Sequence, residues 1–310
     1  MNKKQAKTWL ITGGAGFIGS HLAKELLKRG QKVVIFDNFS SSDGSLLKPV
    51  KKQVKIINGD VRDFAAVIKA VKGADYVLHH AALVSVPQSV KNPQLTKEIN
   101  TDGTFNVLFA ARMAKVKRVI FASSSAVYGN KAKTPNKESA KTNPNSPYAE
   151  TKLQGEALCK MFYHFYGLEC VILRYFNVFG AGQNPASPYA AVVAKFYDCL
   201  KADLPLTING DGKQTRDFVF VDDVVKANLL AATKAKAGEV YNVSGGKAYT
   251  LLQLAAIMQK VTGKKANIIF APQREGDIKK SSADITKIKK AGFKPSITLR
   301  RGLEIIFKQG

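Results

Sequence analysis

Cysteine is scarce in this chain, and its spacing gives no disulfide framework. Cys159, Cys170 and Cys199 are the three cysteines among 310 residues, and no two of them form a C-x-x-C pair. An odd number of cysteines cannot pair completely, and such usage is typical of a reducing compartment. The sequence therefore predicts a cytoplasmic protein.

Long hydrophobic runs are also absent. An apolar stretch follows the basic residues at the start of the chain, as in a signal peptide, but Gly13, Gly14 and Gly16 interrupt it. No stretch reaches the roughly 18 apolar residues that a membrane-spanning helix needs. We therefore expect neither a secretion signal nor a membrane span.

Acidic residues are few, because 23 of them stand against 48 lysines and arginines and give a formal net charge of +25. Such a charge can indicate a nucleic-acid or membrane partner. The lysines are scattered, however, without a basic block, an aromatic-interleaved stripe or a zinc-finger spacing. The pattern favours a solvated lysine-rich surface, with no nucleic-acid or membrane partner and no metal site. Its positive field would attract a phosphorylated small molecule.

The chain does contain a regular alternation of apolar runs and helical segments. From residue 8 to about residue 173 this alternation indicates repeated βαβ units. The predicted strands are residues 9–12, 33–37, 54–58, 76–80, 118–122 and 170–173. We predict an α/β fold with a Rossmann-like, doubly wound parallel sheet in residues 1–174. A smaller carboxy-terminal substrate-binding lobe is expected in residues 175–310, with the chain crossing between the two.

A glycine-rich turn follows the first predicted strand. Residues 14–19 read G-A-G-F-I-G, which matches G-x-G-x-x-G and opens a predicted helix. The first glycine permits a tight turn, the second lets the backbone approach a pyrophosphate, and the third lets the helix pack on the strand. The helix amino terminus attracts the phosphate charge. This context predicts a dinucleotide site.

Two acidic residues end the next two predicted strands. Asp37 lies 18 residues beyond Gly19, where a carboxylate accepts both ribose hydroxyls of the adenosine and repels a 2′-phosphate. We therefore predict NAD, and not NADP, as the cofactor. Asp60 would reach the adenine by the same geometry.

Three side chains predict the chemistry. Tyr148 and Lys152 stand on one face of a predicted helix that starts near Ser146 and Pro147. A free tyrosine has a pKa of about 10, and an adjacent lysine together with a positive nicotinamide would favour its phenolate, which is a base. Ser124 ends a predicted strand at the carboxyl edge of the sheet, where its hydroxyl can hydrogen-bond a reacting group.

Several stretches together resemble one family. They are residues 12–19, 80–82, 100–104, the segment around Ser124, Tyr148 with Lys152, and residues 174–180, 216–223 and 274–277. Over nearly its full length the chain resembles the extended short-chain dehydrogenase/reductase family. Within that family it is similar to the sugar-nucleotide 4-epimerases that act on UDP-glucose and UDP-N-acetylglucosamine.

The resemblance implies a reaction. Tyr148 takes the proton from the sugar 4-hydroxyl, Ser124 hydrogen-bonds that hydroxyl, and Lys152 holds the nicotinamide ribose. Hydride passes from C4 of the sugar to NAD, and the 4-keto sugar swings about its diphosphate to receive the hydride on its other face. NAD is regenerated in each turnover and stays bound.

The resemblance and the motifs also imply binding residues. The cofactor residues are Gly13, Gly16, Phe17, Ile18, Gly19, Asp37, Asn38, Ser40, Asp60, Val61, Ala81, Ala82, Asn100, Tyr148, Lys152, Tyr175 and Phe176. The substrate residues are Ser124, Ser125, Tyr148, Asn177, Arg216, Arg274 and Ser281. Among them, Asn177, Arg216 and Arg274 match the family's ligands of the nucleotide and its diphosphate.

Ser281 carries the expectation about the sugar. It stands where the family's residue lines the pocket near the C2 substituent, and an aromatic residue there would clash with an N-acetyl group. A small residue such as Ser281 leaves room for that group. We expect a UDP-sugar substrate, UDP-N-acetylglucosamine or UDP-N-acetylgalactosamine, together with UDP-glucose and UDP-galactose.

Other functions remain as alternatives. A 4,6-dehydratase carries Asp-Glu where this chain has Ser125 and Ala126, and an alanine cannot transfer a proton. A narrower UDP-glucose 4-epimerase, a uronate epimerase and a uronate decarboxylase stay open. So does an RNA-associated binding protein on the same fold, which the net charge supports and the intact Ser124, Tyr148 and Lys152 oppose.

Two predicted helices bear on assembly. The segments 93–114 and 148–167 resemble the helix pair through which family members form a four-helix dimer interface. A homodimer is therefore expected.

Overall fold

Two compact units make up the chain in the computed structural model, which describes residues 5–130, 132–183, 192–273 and 278–309. Unit 1 comprises Met1–Val127, Ser146–Arg174 and Val225–Tyr241, and unit 2 comprises Tyr128–Asn145, Tyr175–Val224 and Asn242–Gly310. One crossing between the units follows Arg174, where the sequence analysis put its boundary. A single boundary at Arg174 does not describe the units fully, however. Residues 128–145 belong to unit 2 although they precede Arg174, and residues 225–241 belong to unit 1 although they follow it.

The regular elements follow one another in an alternating order. The strands are β1 (Thr8–Thr12), β2 (Lys32–Asp37), β3 (Lys55–Asn58), β4 (Tyr76–His79), β5 (Arg118–Ser124), β6 (Glu169–Tyr175), β7 (Asn177–Phe179), β8 (Leu206–Asn209), β9 (Thr215–Phe220), β10 (Val240–Val243), β11 (Ala248–Thr250) and β12 (Ile268–Ala271). The α-helices are α1 (Phe17–Lys28), α2 (Phe64–Val71), α3 (Val86–Lys91), α4 (Pro93–Lys97), α5 (Gly103–Met113), α6 (Pro147–Tyr166), α7 (Val192–Lys201), α8 (Val221–Thr233), α9 (Leu251–Thr262), α10 (Thr286–Lys290) and α11 (Leu299–Gln309).

The central sheet has seven strands in the order β10-β6-β5-β4-β1-β2-β3. The pairs β1–β2, β1–β4, β2–β3 and β4–β5 are parallel. The chain runs outward from β1 in both directions, so a topological switch point lies between β1 and β4, and open α/β sheets bind ligands beside such a point. The prediction of a Rossmann-like, doubly wound parallel sheet is confirmed.

Apolar residues explain why this sheet forms. The residues of β4 are all buried, and β1 is buried after its first residue, as expected for strands covered on both faces. Strands β4 and β5 pack with α2, α5 and α6 into one core cluster that includes Val107, Phe121 and Phe162. The six strands predicted from the sequence are present, and their ends differ from the prediction by at most two residues.

Unit 2 contains two small sheets. One has the order β11-β9-β7, in which β9 pairs antiparallel with β11 and parallel with β7. The other consists of the parallel pair β12 and β8. Two of the predicted substrate residues lie in the first of these sheets, Asn177 in β7 and Arg216 in β9.

Three features bear on the compositional predictions. Cys159, Cys170 and Cys199 are free cysteines. Among the described residues, no helix has the length and apolar character needed to span a membrane. Over the same residues, no group of histidine, cysteine, aspartate and glutamate side chains could hold a metal ion.

Candidate active site

The glycine-rich turn leaves no space for side chains. Gly13 has φ +67, and a Cβ atom there would meet the amide nitrogen of Ala81 at 2.6 Å. A Cβ atom at Gly19 would meet the Cα atom of Gly14 at 2.6 Å. The turn therefore brings β1, the start of α1 and the residues after β4 into direct backbone contact.

The amino terminus of α1 fits a phosphate group. Its N-cap is Gly16, which has no side chain to cap the first amide groups, and no acidic residue lies in the first turn. Phe17 and Ile18 are only half-buried. The first N–H groups of a helix lack intrahelical acceptors, and here a bound anion would satisfy them. This cradle is the observation that fits a dinucleotide to the turn.

Asp37 stands at the end of β2 beside that turn. Its Oδ2 accepts a hydrogen bond from the amide of Ala15 at 2.9 Å, and its Oδ1 accepts one from the amide of Phe39 at 2.8 Å. Each carboxylate oxygen has a second lone pair for a ribose hydroxyl. The geometry therefore holds Asp37 in place while leaving acceptor capacity.

Asp60 is engaged by neighbouring side chains. Arg62 donates to both of its carboxylate oxygens, at 3.0 and 2.8 Å, and Asn38 donates to Oδ2 at 2.9 Å. The hydrogen bond from Arg62 is the main cause that lowers the pKa of Asp60 to about 2. Asn38 in turn accepts from the amide of Ser40, and Val61 is buried. These four predicted cofactor residues therefore lie next to one another at the ends of β2 and β3.

A buried histidine links the turn to the helices behind it. His79 Nδ1 lies 2.7 Å from Oγ1 of Thr12, and its Nε2 lies 3.0 Å from Oγ1 of Thr104. Thr104 donates its own proton to the carbonyl of Asn100, so His79 carries its proton on Nε2 and accepts at Nδ1. Burial lowers the pKa of His79 to about 3, which agrees with a neutral ring.

Asn100 and the two alanines after β4 have different surroundings. The side chain of Asn100 donates to the carbonyl of Leu83 and to Thr151, and it accepts from the amide of Leu83 at 2.7 Å. The described partners of Asn100 are thus protein groups, and cofactor binding by this side chain stays a prediction. Ala81 and Ala82 are half-buried, with the amide of Ala81 donating to Thr12.

Tyr148 and Ser124 are brought together by a helix and a strand. Tyr148 lies in the first turn of α6, which begins at Pro147 and is capped by Ser146, whose Oγ accepts from the amide of Ala149 at 3.2 Å. Ser124 is the last residue of β5. Burial raises the pKa of Tyr148 from its usual value, and the hydrogen-bonding effect of the Ser124 side chain offsets part of that rise.

Lys152 is buried one turn further along α6. Its Nζ donates a hydrogen bond of 2.8 Å to the carbonyl of Ala122 and lies 6.0 Å from the centre of the Tyr148 ring. Burial lowers the pKa of Lys152 to about 8. Among the chain's own groups, burial has the largest effect on the pKa of Tyr148, and the lowering expected from Lys152 together with the positive nicotinamide stays a prediction.

Three predicted substrate residues gather in unit 2. Asn177 in β7 donates to the carbonyl of Asp217 in β9 at 3.0 Å. Arg216 in β9 donates to the carbonyls of Thr215 and Ile278. The amide of Ser281 donates to the carbonyl of Thr215 at 3.1 Å, and Ser281 is buried.

The other predicted site residues divide in three ways. Tyr175 and Phe176 are buried at the start of the second segment of unit 2. Ser125 begins a short 3₁₀ helix, Ser125–Tyr128, directly after β5. Arg274 lies outside the described residues.

Sequence reasoning missed a charged cluster next to the predicted catalytic residues. Glu156 on α6 accepts from Ser123 and from Arg174, and all three side chains are buried. In the sequence, Arg174 stands out only as the first residue of the stretch 174–180. The spacing of Lys152 and Glu156, one helical turn apart, is the signal that could have placed Glu156 beside the site.

Comparison with known proteins decides the family. The model of the NAD dependent epimerase/dehydratase family matches residues 9–244, which is more than half of the chain. The chain belongs to this family. As a member of the NAD dependent epimerase/dehydratase family it is an enzyme, an isomerase, and its cofactor is NAD.

Relatives of known name cover almost the whole chain. The UDP-glucose 4-epimerase of Mycolicibacterium smegmatis is 36% identical over 303 residues, with 95% of each chain covered. The UDP-N-acetyl-alpha-D-glucosaminuronate decarboxylase of Bacillus cytotoxicus is 35% identical over 311 residues, with 96% of each chain covered. Different reactions are thus found among members of the epimerase/dehydratase family at similar identity.

A solved structure shares both fold and sequence with this chain. The UDP-N-acetylglucosamine 4-epimerase of Methanobrevibacter ruminantium M1, in complex with UDP-N-acetylmuramic acid, is 40% identical with a TM-score of 0.93. The superposition covers 99% of this chain and 100% of the other. The resemblance drawn from motifs is therefore confirmed at the level of the epimerase/dehydratase family.

Proposed function

We propose that the protein interconverts UDP-N-acetylglucosamine and UDP-N-acetylgalactosamine by 4-epimerisation, and UDP-glucose and UDP-galactose as well. Ser281 carries the choice of sugar. It is a small, buried residue that is fixed through its amide to Thr215, next to Arg216. A serine at the position that faces the C2 substituent leaves space for an acetamido group, which an aromatic residue would exclude. The 40% identical neighbour that is named as a UDP-N-acetylglucosamine 4-epimerase supports this substrate.

The catalytic roles rest on the arrangement of Ser124, Tyr148 and Lys152. Tyr148 takes the proton from the sugar 4-hydroxyl and later returns it, and Ser124 orients that hydroxyl through its own hydrogen bond. A general base must lie within hydrogen-bond reach of the proton it removes, and the Ser124 side chain is one of the two groups of influences on the pKa of Tyr148, the other being burial. Lys152 is buried with its ammonium group beside the Tyr148 ring, where it holds the nicotinamide ribose.

When bound, NAD would supply an acceptor for the hydride from C4 of the sugar, and its reduced form would supply the donor that returns this hydride to the 4-keto sugar. The chain contributes the amide groups at the start of α1 for the pyrophosphate and Asp37 for the adenosine ribose. Asn177, Arg216 and Arg274 hold the nucleotide diphosphate. A firm grip on the diphosphate with few contacts to the sugar lets the sugar present either face.

A panel of substrates tests the proposal. Purified enzyme is incubated with UDP-N-acetylglucosamine, UDP-glucose, UDP-glucuronate and UDP-N-acetylglucosaminuronate, and the products are separated and identified. We expect the first two to be epimerised at C4. Ser281→Tyr is expected to abolish turnover of the N-acetylated sugar and to spare UDP-glucose, whereas the neighbouring substitution Ser282→Tyr should retain both activities.

Three outcomes of the panel would replace the proposal. Turnover of UDP-glucose without UDP-N-acetylglucosamine would assign the narrower UDP-glucose 4-epimerase. Turnover of a uronate alone would assign a uronate epimerase, or a decarboxylase if CO₂ is released, as in the 35% identical relative. RNA binding that weakens with added salt, without turnover of any sugar in the panel, would indicate that the protein is an RNA-associated binding protein.

The assembly state is part of the proposal. Exposed aromatic side chains lie on both α5 and α6. The centre of the Phe105 ring lies 5.7 Å from that of the buried Phe162, and the centre of the Phe162 ring lies 5.3 Å from that of the exposed Tyr166. Phe105 is 41% exposed, Tyr166 is 47% exposed and Phe165 is 79% exposed, and exposed apolar side chains that lie together mark interaction surfaces. A homodimer would cover this surface with four helices.

Light scattering on purified protein tests the dimer. We expect Phe105→Glu to give monomers, because the substitution puts a charge into the covered surface. Phe270→Glu serves as the control, since Phe270 is also exposed but lies on β12 in unit 2. A monomeric wild-type protein would contradict the dimer. We also propose that the enzyme is cytoplasmic, because its three cysteines are free, as is typical of a reducing compartment.

A further inference from the structure

A charged cluster without an assigned role lies inside unit 1. Glu156 on α6 is 1% exposed, and Arg174 on β6 is 3% exposed. Arg174 Nε and Nη2 donate to the two carboxylate oxygens of Glu156 at 2.8 and 2.7 Å. The hydroxyl of Ser123, on the neighbouring strand β5, donates to Oε1 of Glu156 at 2.5 Å. Glu156 therefore joins one helix to two adjacent strands.

The cluster lies next to the catalytic groups along the chain. Glu156 follows Lys152 by one helical turn, so the two side chains leave the same face of α6. Ser123 directly precedes Ser124 at the end of β5. The helix is thus bound to this strand at two successive turns, by Lys152 to the carbonyl of Ala122 and by Glu156 to the hydroxyl of Ser123.

Stability alone does not explain a buried ion pair. Removing two charges from water costs several kcal/mol, and well-packed apolar residues of similar volume often stabilise a fold as well or better. Strands β5 and β6 are also joined at their first residues by an ion pair between Arg118 and Glu169. The side chains of this second pair are 11% and 41% exposed, so it is less buried than the pair of Glu156 and Arg174. A bidentate pair that also accepts a serine hydroxyl fixes orientation more strictly than apolar packing does.

Orientation is what the catalytic pair requires. Tyr148 is carried by α6 and Ser124 by β5, so any shift of the helix along the strand changes the separation of their hydroxyls. Reacting groups must be held close to their productive geometry, and a displacement of about 1 Å can lower the rate about 100-fold.

We infer that Glu156 is a positioning residue, which through Ser123 and Arg174 holds the end of β5 bearing Ser124 in register with the turn of α6 bearing Lys152. The inference rests on the proposed function, because it concerns the alignment of that proton-transferring set. Glu156 contacts neither sugar nor cofactor in this role, and it acts through the side chains that it fixes.

A pair of isosteric substitutions isolates the hydroxyl of Ser123. Ser123→Thr keeps the hydroxyl and adds one methyl group. Ser123→Val has the same shape as threonine, with a methyl group in place of the hydroxyl, so the steric cost of the larger side chain is common to both variants. We expect the turnover number of the valine variant to fall about 10-fold below that of the threonine variant. The KM for the UDP-sugar and the amount of bound NAD should be equal in the two.

Charge removal provides the second test. Glu156→Gln is expected to lower the turnover number by about 10- to 100-fold with little change in KM. Glu169→Gln is the matched control at the other end of β5 and β6, and it should leave the turnover number unchanged. If Glu156→Gln does not fold, Glu156→Leu combined with Arg174→Met removes both charges, and we expect that variant to melt at or above the wild-type temperature while turning over slowly.

These results separate positioning from support of the fold. Equal turnover numbers for the threonine and valine variants, with wild-type turnover in the folded Glu156 variant, would overturn the inference. Loss of activity in proportion to loss of folded protein would also overturn it. Failure of the proposed function is visible in the wild-type enzyme alone, and the variants are then compared on whichever UDP-sugar that enzyme turns over.

Discussion

The ammonium group of Lys152 donates a hydrogen bond of 2.8 Å to the backbone carbonyl of Ala122. This bond joins α6, the helix that carries Tyr148, to the strand that ends at Ser124, and the lysine is buried there. Because burial lowers the pKa of Lys152 to about 8, the group is still largely protonated at neutral pH. The lysine therefore acts as a positively charged anchor for the helix that carries Tyr148.

Replacement of the base tests the chemistry. Tyr148→Phe removes only the phenolic hydroxyl, so the fold and the bound NAD should be retained while turnover falls by about 100- to 10,000-fold. Tyr163→Phe makes the same change later in α6 and should leave turnover intact. Near wild-type activity in Tyr148→Phe would exclude Tyr148 as the base.

The carboxylate at the end of β2 should select the cofactor. Asp37→Asn is expected to weaken retention of NAD by about 10-fold or more, because a charged acceptor for the ribose hydroxyls is lost. Asp43→Asn, an exposed acidic residue in the loop that follows, is the control. The released nucleotide is assayed after denaturation, and recovery of NADP alone from wild-type protein would refute the role given to Asp37.

The buried His79 and the half-buried His80 should make the fold sensitive to acid. Burial is the main cause that lowers the pKa of His79 to about 3 and of His80 to about 4, against an unfolded value of about 6.5. The unfolded chain therefore binds more protons below pH 6.5, and stability should fall as the pH falls through this window. Each histidine contributes a slope of at most about 1.4 kcal/mol per pH unit, where the unfolded ring is protonated and the folded ring is neutral.

Urea unfolding between pH 4.5 and 6 measures this slope. His79→Gln removes one of the two groups, so the free energy of unfolding of the variant should depend less steeply on pH than that of the wild type. His80→Gln should reduce the slope in the same way. A slope that is the same in all three proteins would show that neither ring stays neutral in the fold.

Much of unit 1 could be predicted because its signals are local. The glycine turn, the strand before it and the helix after it are encoded within residues 8–28, and α6 has Ser146 and Pro147 at its start. Local periodicity also has limits. The sequence predicts a helix over 93–114, and residues 93–113 are helical throughout, but periodicity did not reveal the π-helical turn Glu98–Asp102 between α4 and α5, which carries Asn100.

The remainder depends on contacts between distant parts of the chain. Glu156 meets Ser123 across 33 positions and Arg174 across 18, and no pattern in the sequence pairs them. The same holds for the assignment of residues 128–145 to unit 2, because it follows from packing and not from composition. Sequence motifs predict the reacting groups, while tertiary contacts determine what holds these side chains in place.

Epimerisation in D₂O tests the central claim most directly. The enzyme is incubated in D₂O with UDP-N-acetylglucosamine and without added NAD, and the sugar protons are followed by NMR. Only the hydroxyl proton handled by Tyr148 exchanges with solvent in the proposed reaction, whereas the hydrogen on C4 is carried as hydride and returned. We predict formation of UDP-N-acetylgalactosamine that retains protium at C4. No product, or deuterium on a carbon of the sugar ring, would contradict a 4-epimerase that works by hydride transfer through bound NAD.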